Sequence, residues 1–438
     1  MSFGLTLVST MFATERQLTS NPHGHMLTNS NVWSPDGRWI VYDVRGVDSV
    51  FDGTRIERVE VDSGKVEVLY QSKNGAACGV VTHHPREQKM VFIHGPENPT
   101  AEWSYSSSRR SGVIVDAHRP GEIRPLDAMN YAPPFTAGAL RGGSHVHVFS
   151  PDGGAVSFTY EDDVLSRLGL AGEHELNQRN IGVSVMTGRG VSVARTHPRN
   201  HDGDYFSVLV THTVNRPRPG SDEISRAYEE GWLVRSDGRR SLAFLGNVTA
   251  SDGREHPEVF IVDLPDDLTR AGATPLEGTA TRRPSPPQGV EQRRLTFTEQ
   301  RNFPGAVLAP RHWVRASPDG NAVAFLMKDD AGIVQLWTVR PEGGALRQVT
   351  HNPVGVTSAF TWNPDGHSIA HTMDGSVCVT EYESGKTRRL TERRMGADAP
   401  EAFACVFAPD GKRIAFTRRI AGDKKFFTQV FVVDSASD

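Results

Sequence analysis

Two histidines one residue apart lie within Arg141-Gly142-Gly143-Ser144-His145-Val146-His147. The period of two in a strand would place both imidazoles on one face, where His145 and His147 would chelate a divalent metal or flank a substrate. Spacing supplies no third or fourth ligand, and two strand histidines bonded to neighbouring sheets are the alternative. His23-Gly24-His25 has the same form, in what reads as a solvated turn. In Ile93-His94-Gly95-Pro96-Glu97 a Gly-Pro turn presents His94 beside a carboxylate, an arrangement suited to a general base, unless Glu97 only caps the loop. Arg141, Arg179 and Arg311 offer planar forks that match a carboxylate or phosphate. Their alternative is pairing with aspartates such as Asp162 and Asp329 between sheets. Trp103, Gln178, Asn180 and His312 would complete the lining, and Tyr131 would overhang it as an aromatic wall or anchor its own loop.

These residues are far apart in sequence, so a repeat must bring them together. Five segments share Pro-Asp-Gly after an apolar run: Trp33 to Gly37, Phe149 to Gly153, Ala316 to Gly320, Trp362 to Gly366 and Phe407 to Gly411. His83-His84-Pro85 and Arg235-Ser236-Asp237-Gly238 are weaker copies in the gaps. Proline fixes φ at the second turn position, aspartate bonds its own backbone and glycine accepts positive φ, so each copy closes a hairpin. Seven such units of four strands predict an all-β, seven-bladed β-propeller occupying residues 1–438 as one domain. Arg294-Leu295-Thr296, Arg347-Gln348-Val349-Thr350 and Arg388-Arg389-Leu390-Thr391 mark fourth strands. The last blade lacks this mark, and Arg16-Gln17-Leu18-Thr19 carries it, so strand 15–20 is expected to complete blade seven and close the ring. Residues 127–143, 196–230 and 264–292 exceed the repeat. The first two are expected to reach the centre, with 196–230 as a lid unless its strand-like Tyr205 to His212 adds to a sheet edge, and the proline-rich third to be a surface excursion. Inner-strand starts and loops after second strands share one face, so the histidines and arginines should gather around one funnel.

The net charge of −4 gives no basic field for general nucleic-acid binding. Three cysteines without paired spacing argue against a disulfide framework or a thiolate metal centre. The opening segment lacks the basic and long apolar regions of a secretory signal, and no run reaches the roughly 20 apolar residues of a membrane span, so a cytoplasmic location is expected. No Gly-x-Ser-x-Gly elbow occurs and the repeat leaves no segment for an α/β-hydrolase domain, which excludes a propeller-gated serine peptidase, and the absence of a phosphate loop or dinucleotide fingerprint leaves ATP and NAD chemistry without support.

The Ser-Pro-Asp-Gly repeat with its Arg-x-Leu-Thr strands resembles the TolB-type propeller repeat over almost the whole chain. Ile93-His94-Gly95-Pro96-Glu97, Ala139 to His147 and Gln178-Arg179-Asn180-Ile181-Gly182-Val183 resemble the YidR-like family. The TolB likeness implies a protein or glycan partner for a non-catalytic propeller. The repeat is also similar to that of oligogalacturonate and rhamnose–glucuronate lyases, which implies β-elimination on an acidic oligosaccharide. In that case His94 or His145 would be the base, His147 a metal ligand or acid, Arg141, Arg179 and Arg311 would hold the carboxylate, and one divalent ion (manganese, calcium or zinc) would assist.

Overall fold

The structure is a computed structural model and describes residues 12–436 other than 48, 236 and 424. Seven antiparallel sheets follow one another along the chain. Blade two is Cys78–His83, Lys89–His94, Ser111–Asp116 and Ile123–Pro125; blade three is Gly142–Phe149, Ala155–Asp162, Asn180–Val185 and Phe206–Leu209. Blade four is Ile224–Val234, Arg240–Thr249, Glu255–Asp263 and Glu291–Arg294. Blades five and six have inner strands of only two residues, Arg315–Ala316 and Thr361–Trp362. In blade one the expected inner strand is reduced to two bridges, Met26 to Asp43 and Trp33 to Ile40.

The Pro-Asp-Gly turns form as their chemistry dictates. Gly37, Gly153, Gly320, Gly366 and Gly411 all have φ between 67° and 77°, and each N–H donates to the carbonyl three residues back. This is a type I turn followed by a left-handed glycine. The weaker copy behaves alike, Gly238 donating to Arg235, although its Ser236 lies outside the described residues.

Second strands such as Lys89–His94 are apolar on both faces because neighbouring blades cover both, and the core is a ring of layers between blades. Three tryptophans stitch the ring. Trp33 Nε1 donates to the Val406 carbonyl at 3.0 Å, Trp232 to Val148 at 2.9 Å and Trp362 to Arg315 at 3.1 Å, each crossing to the preceding blade. The closure is as expected: Glu15–Gln17 pairs with Phe426–Asp434, Glu15 opposite Val433.

Of the excursions, 196–230 takes the edge-strand alternative and 264–290 lies on the surface, docked there. Residues 206–209 are the outer strand of blade three rather than part of a lid, and the inner strand of blade four begins at Ile224, inside the supposed insert. The outer edge of blade three lacked a partner, and a β-rich segment, Phe206-Ser207-Val208-Leu209, satisfies it. Residues 264–290 do not stand off from the body. Arg283 pairs with Glu175 at 3.0 Å and donates to Gln178 at 2.7 Å, docking the excursion on the loops of blade three.

Candidate functional site

At three seams the backbone at or just before the start of a third strand bonds the next blade near the start of its inner strand. Ser144 N–H donates to Arg110 at 3.1 Å, Ala227 N–H to Arg179 at 3.0 Å and His25 N–H to Thr428 at 3.0 Å. Loops after second strands and inner-strand starts therefore share one face.

At that face His145 is partly exposed, and its Nδ1 has no hydrogen-bond partner. Burial first, then the charges of Arg110, Arg311 and Arg179, hold its pKa well below the usual histidine value. The imidazole is neutral at neutral pH and keeps a free lone pair. Arg179 pairs with Glu161 at 2.5 Å, and Arg311 with Glu229 at 2.8 Å while its guanidinium lies 4.5 Å above the Trp313 ring. Arg110 donates to the Tyr105 hydroxyl at 3.0 Å, leaving its buried Nε unpartnered. Arg226 is exposed over Tyr228 and interacts electrostatically with Arg179. Four guanidinium groups thus surround two carboxylates, Glu161 and Glu229. The nearby Glu230, bonded by the Thr159 that pairs opposite His145, is held up to about 7 by burial, so at neutral pH it is only partly ionised. Arg315 donates across to Asn29 of blade one, spanning the channel.

The expected His145–His147 pair does not form. Val146 has φ of 55° and the register slips between His145 and Val148, a β-bulge that breaks the period of two. His147 is fully buried, 3.8 Å from Asp127, whose carboxylate also accepts from Ser144, Ser184 and Ser207. Burial would raise the Asp127 carboxyl, but His147 alongside and the Ser207 and Ser144 hydroxyls hold it below the usual range. A shared ion on His145 and His147 has no geometric basis.

Other candidates are engaged within the protein. Arg141, 1% exposed, donates to Asp162 at 2.7 Å, to the Arg282 carbonyl at 2.7 Å and to the Thr279 carbonyl, so it fastens the 264–290 excursion. Gln178 donates to the Val214 carbonyl at 2.6 Å, and the buried Asn180 accepts from Thr211 and Thr213. His312 accepts from Leu326 N–H at 3.1 Å and is lowered by burial to about 4. His371 is lowered likewise and bonds Thr380 at 2.8 Å.

His94 lies in a neighbouring cleft of about 310 Å³ lined also by Trp103, Arg110, Tyr131 and Arg199. Its Nε2 meets the Tyr70 hydroxyl at 2.9 Å, and burial lowers its pKa against the opposing pull of Glu97. Trp103 stands edge-on to Tyr131 at 4.9 Å, so Tyr131 anchors the wall of the cleft, and burial raises its hydroxyl pKa. Glu97 accepts from Asn74 at 2.9 Å. Arg110 belongs to this cleft and to the surroundings of His145.

His23 and His25 do not form a solvated turn. His25 is fully buried and stacks on His23 with ring centroids 4.4 Å apart; together with Glu57 they present ligand atoms within 4.8 Å of one another. Sequence reasoning passed over Glu57, Arg110, Arg226 and Glu230, which sit in strands or unremarkable loops. The one available signal was an ionisable residue where an apolar one would suit a blade.

A family model described as "Protein of unknown function (DUF3748)" matches residues 77–201, the stretch that carries His94, Arg110, Tyr131, His145 and Arg179. Among solved structures, an oligogalacturonate lyase in complex with manganese superposes with a TM-score of 0.58 at 11% identity, over 97% of this chain and 94% of that one. The oligogalacturonate lyase of Vibrio parahaemolyticus gives 0.56 at 12%, over 98% and 95%. Puromycin hydrolase gives 0.53 at 14%, covering 94% of this chain and 52% of that chain. At such identities the likeness is one of fold. The uncharacterized protein YidR of Escherichia coli K12 is 49% identical over 404 residues, 92% of this chain and 94% of that protein. Sharing about half its residues with YidR along nearly the full length of both, the chain belongs to the YidR family.

Proposed function

We propose that the channel mouth binds a carboxylate-bearing sugar and starts a β-elimination that splits a uronic-acid linkage. The observation that carries this reading is the setting of His145: a neutral imidazole with an unpartnered Nδ1, among Arg110, Arg179 and Arg311. The carbon next to a carboxylate gives up a proton only when the charge that develops on the carboxylate is neutralised, and guanidinium groups in a water-poor site do this. His145 takes that proton, its electron pair forms the carbon–carbon double bond, and the glycosidic oxygen at the neighbouring carbon departs with a proton from solvent. Tyr105, partly exposed beside Arg110, gives the sugar ring an apolar face.

The test is incubation of the full chain with oligogalacturonides, following the near-ultraviolet absorbance of the unsaturated product. Turnover is expected, with His145→Ala losing at least a hundredfold in rate and Arg110→Met raising KM and lowering kcat. No product from the wild-type chain, or an undiminished rate in His145→Ala, overturns the proposal.

A further inference from the structure

We propose that His23, His25 and Glu57 bind one divalent transition-metal ion of the zinc class at the seam between blades seven and one. This goes beyond the channel-mouth reading and uses none of its residues.

The site is built from the backbone outward. A Cβ on Gly24 would lie 1.8 Å from the Arg45 carbonyl oxygen, so only glycine lets the His23-Gly24-His25 segment press against blade one. His25 Nδ1 meets the Thr428 carbonyl at 3.0 Å. A carbonyl only accepts, so Nδ1 carries the hydrogen and Nε2 keeps its lone pair. That Nε2 belongs to a fully buried side chain and has no partner. A carbonyl behind one ring nitrogen and a bare lone pair on the other is how proteins orient metal-ligating histidines. His23 Nε2, also without a hydrogen bond, lies 3.5 Å from Glu57 Oε2.

Glu57 is held in turn. The Tyr42 hydroxyl donates to its Oε2 at 2.9 Å, and Arg55 approaches Oε1 at 3.2 Å. Arg55 is the cation that opposes a second positive charge here, and its side chain is 33% exposed, so it can swing to solvent. Bonds of about 2.0–2.2 Å to nitrogen and oxygen set ligand atoms somewhat over 3 Å apart. The present 4.8 Å limit closes to that by small side-chain rotations. Two imidazoles and one carboxylate suit zinc, cobalt or manganese rather than calcium or magnesium, which take oxygen ligands. The partly exposed flank of His23 leaves a fourth position for water. Because His25 is tied to Thr428 of blade seven and Glu57 belongs to blade one, the ion would also clasp the ring where it closes.

The experiment uses the full chain, stripped with chelator and titrated with zinc chloride by calorimetry, with cobalt(II) as a spectroscopic probe. One ion per chain is expected, with visible cobalt bands of a low-coordinate nitrogen–oxygen site and a melting temperature raised by a few degrees. Glu57→Gln and His23→Asn should each weaken binding at least tenfold, the latter touching only a partly exposed side chain, while His145→Ala binds as wild type. Lack of stoichiometric uptake by the wild-type chain, or wild-type binding by both site variants, overturns the proposal. The His145→Ala control separates its failure from that of the sugar-acid reading.

Discussion

Arg141→Met tests whether a guanidinium that looks like a ligand clamp is instead a fastener. The change removes a 2.7 Å bond to Asp162 and leaves the carbonyls of Thr279 and Arg282 facing a thioether. Asp162 is 2% exposed and keeps the Leu165 N–H at 2.8 Å and the Tyr160 hydroxyl at 3.1 Å, so it loses its charge partner but not all its donors. Removing one side of a buried pair costs about 3–5 kcal/mol. The nearest relief is for residues 279–283 to lift off and rehydrate, since their ties there are the Thr281 carbonyl to Glu175 N–H and Arg283 to Glu175, Gln178, Thr213 and Asn215, while Leu268 and Leu276 keep the rest of the excursion in the core. A local cost of about 3 kcal/mol raises the open population about a hundredfold. Limited trypsin digestion reads that population at Arg282, whose carbonyl Arg141 holds. The variant should be cut there about a hundred times faster, with the ring still folded by circular dichroism. Asp162→Asn should show a smaller loss, and the double variant less than the sum of the two. Cleavage at the wild-type rate would refute the fastening role.

The histidines away from the proposed ion give a pH dependence of fixed sign. His83, His312 and His371 are each lowered by burial from 6.5 to about 4, so the unfolded chain binds their protons first. Their contribution is complete above pH 6.5 and is lost as pH falls towards 4, about 3 kcal/mol per group; urea midpoints that do not fall across that window would contradict it. Trp33→Phe removes the bond to Val406 between blades one and seven and should cost about 1–2 kcal/mol by thermal unfolding. Deleting residues 1–20 unpairs Phe426–Asp434 and should give self-association by size-exclusion chromatography together with a lower melting temperature. A monomer of unchanged stability would show that the closing strand is dispensable.

The blades were legible because each Pro-Asp-Gly turn carries its own geometry, and the closing strand because Arg16-Gln17-Leu18-Thr19 repeats a fourth-strand mark that blade seven lacks. The site was less so. Val146 at positive φ is a conformation that a β-branched residue disfavours, and nothing in Ser144-His145-Val146-His147 announces it. Val80 and Glu229 adopt the same conformation where blades two and four slip register, so the bulge belongs to the ring rather than to the local sequence. Arg141 was read as a clamp because its partners, Thr279 and Arg282, lie some 140 residues away. His25 was read as solvated because the close approach of Arg45 to Gly24 is a tertiary fact.

Glu15 faces Val433, so the first of these two strands to leave the ribosome must wait for a partner made more than 400 residues later. At 5–20 residues per second that wait is roughly 20 to 80 seconds. Throughout it the nascent chain carries a bare strand and an unsealed seam, which makes it a natural client for chaperones that shield edges until the partner strand is made.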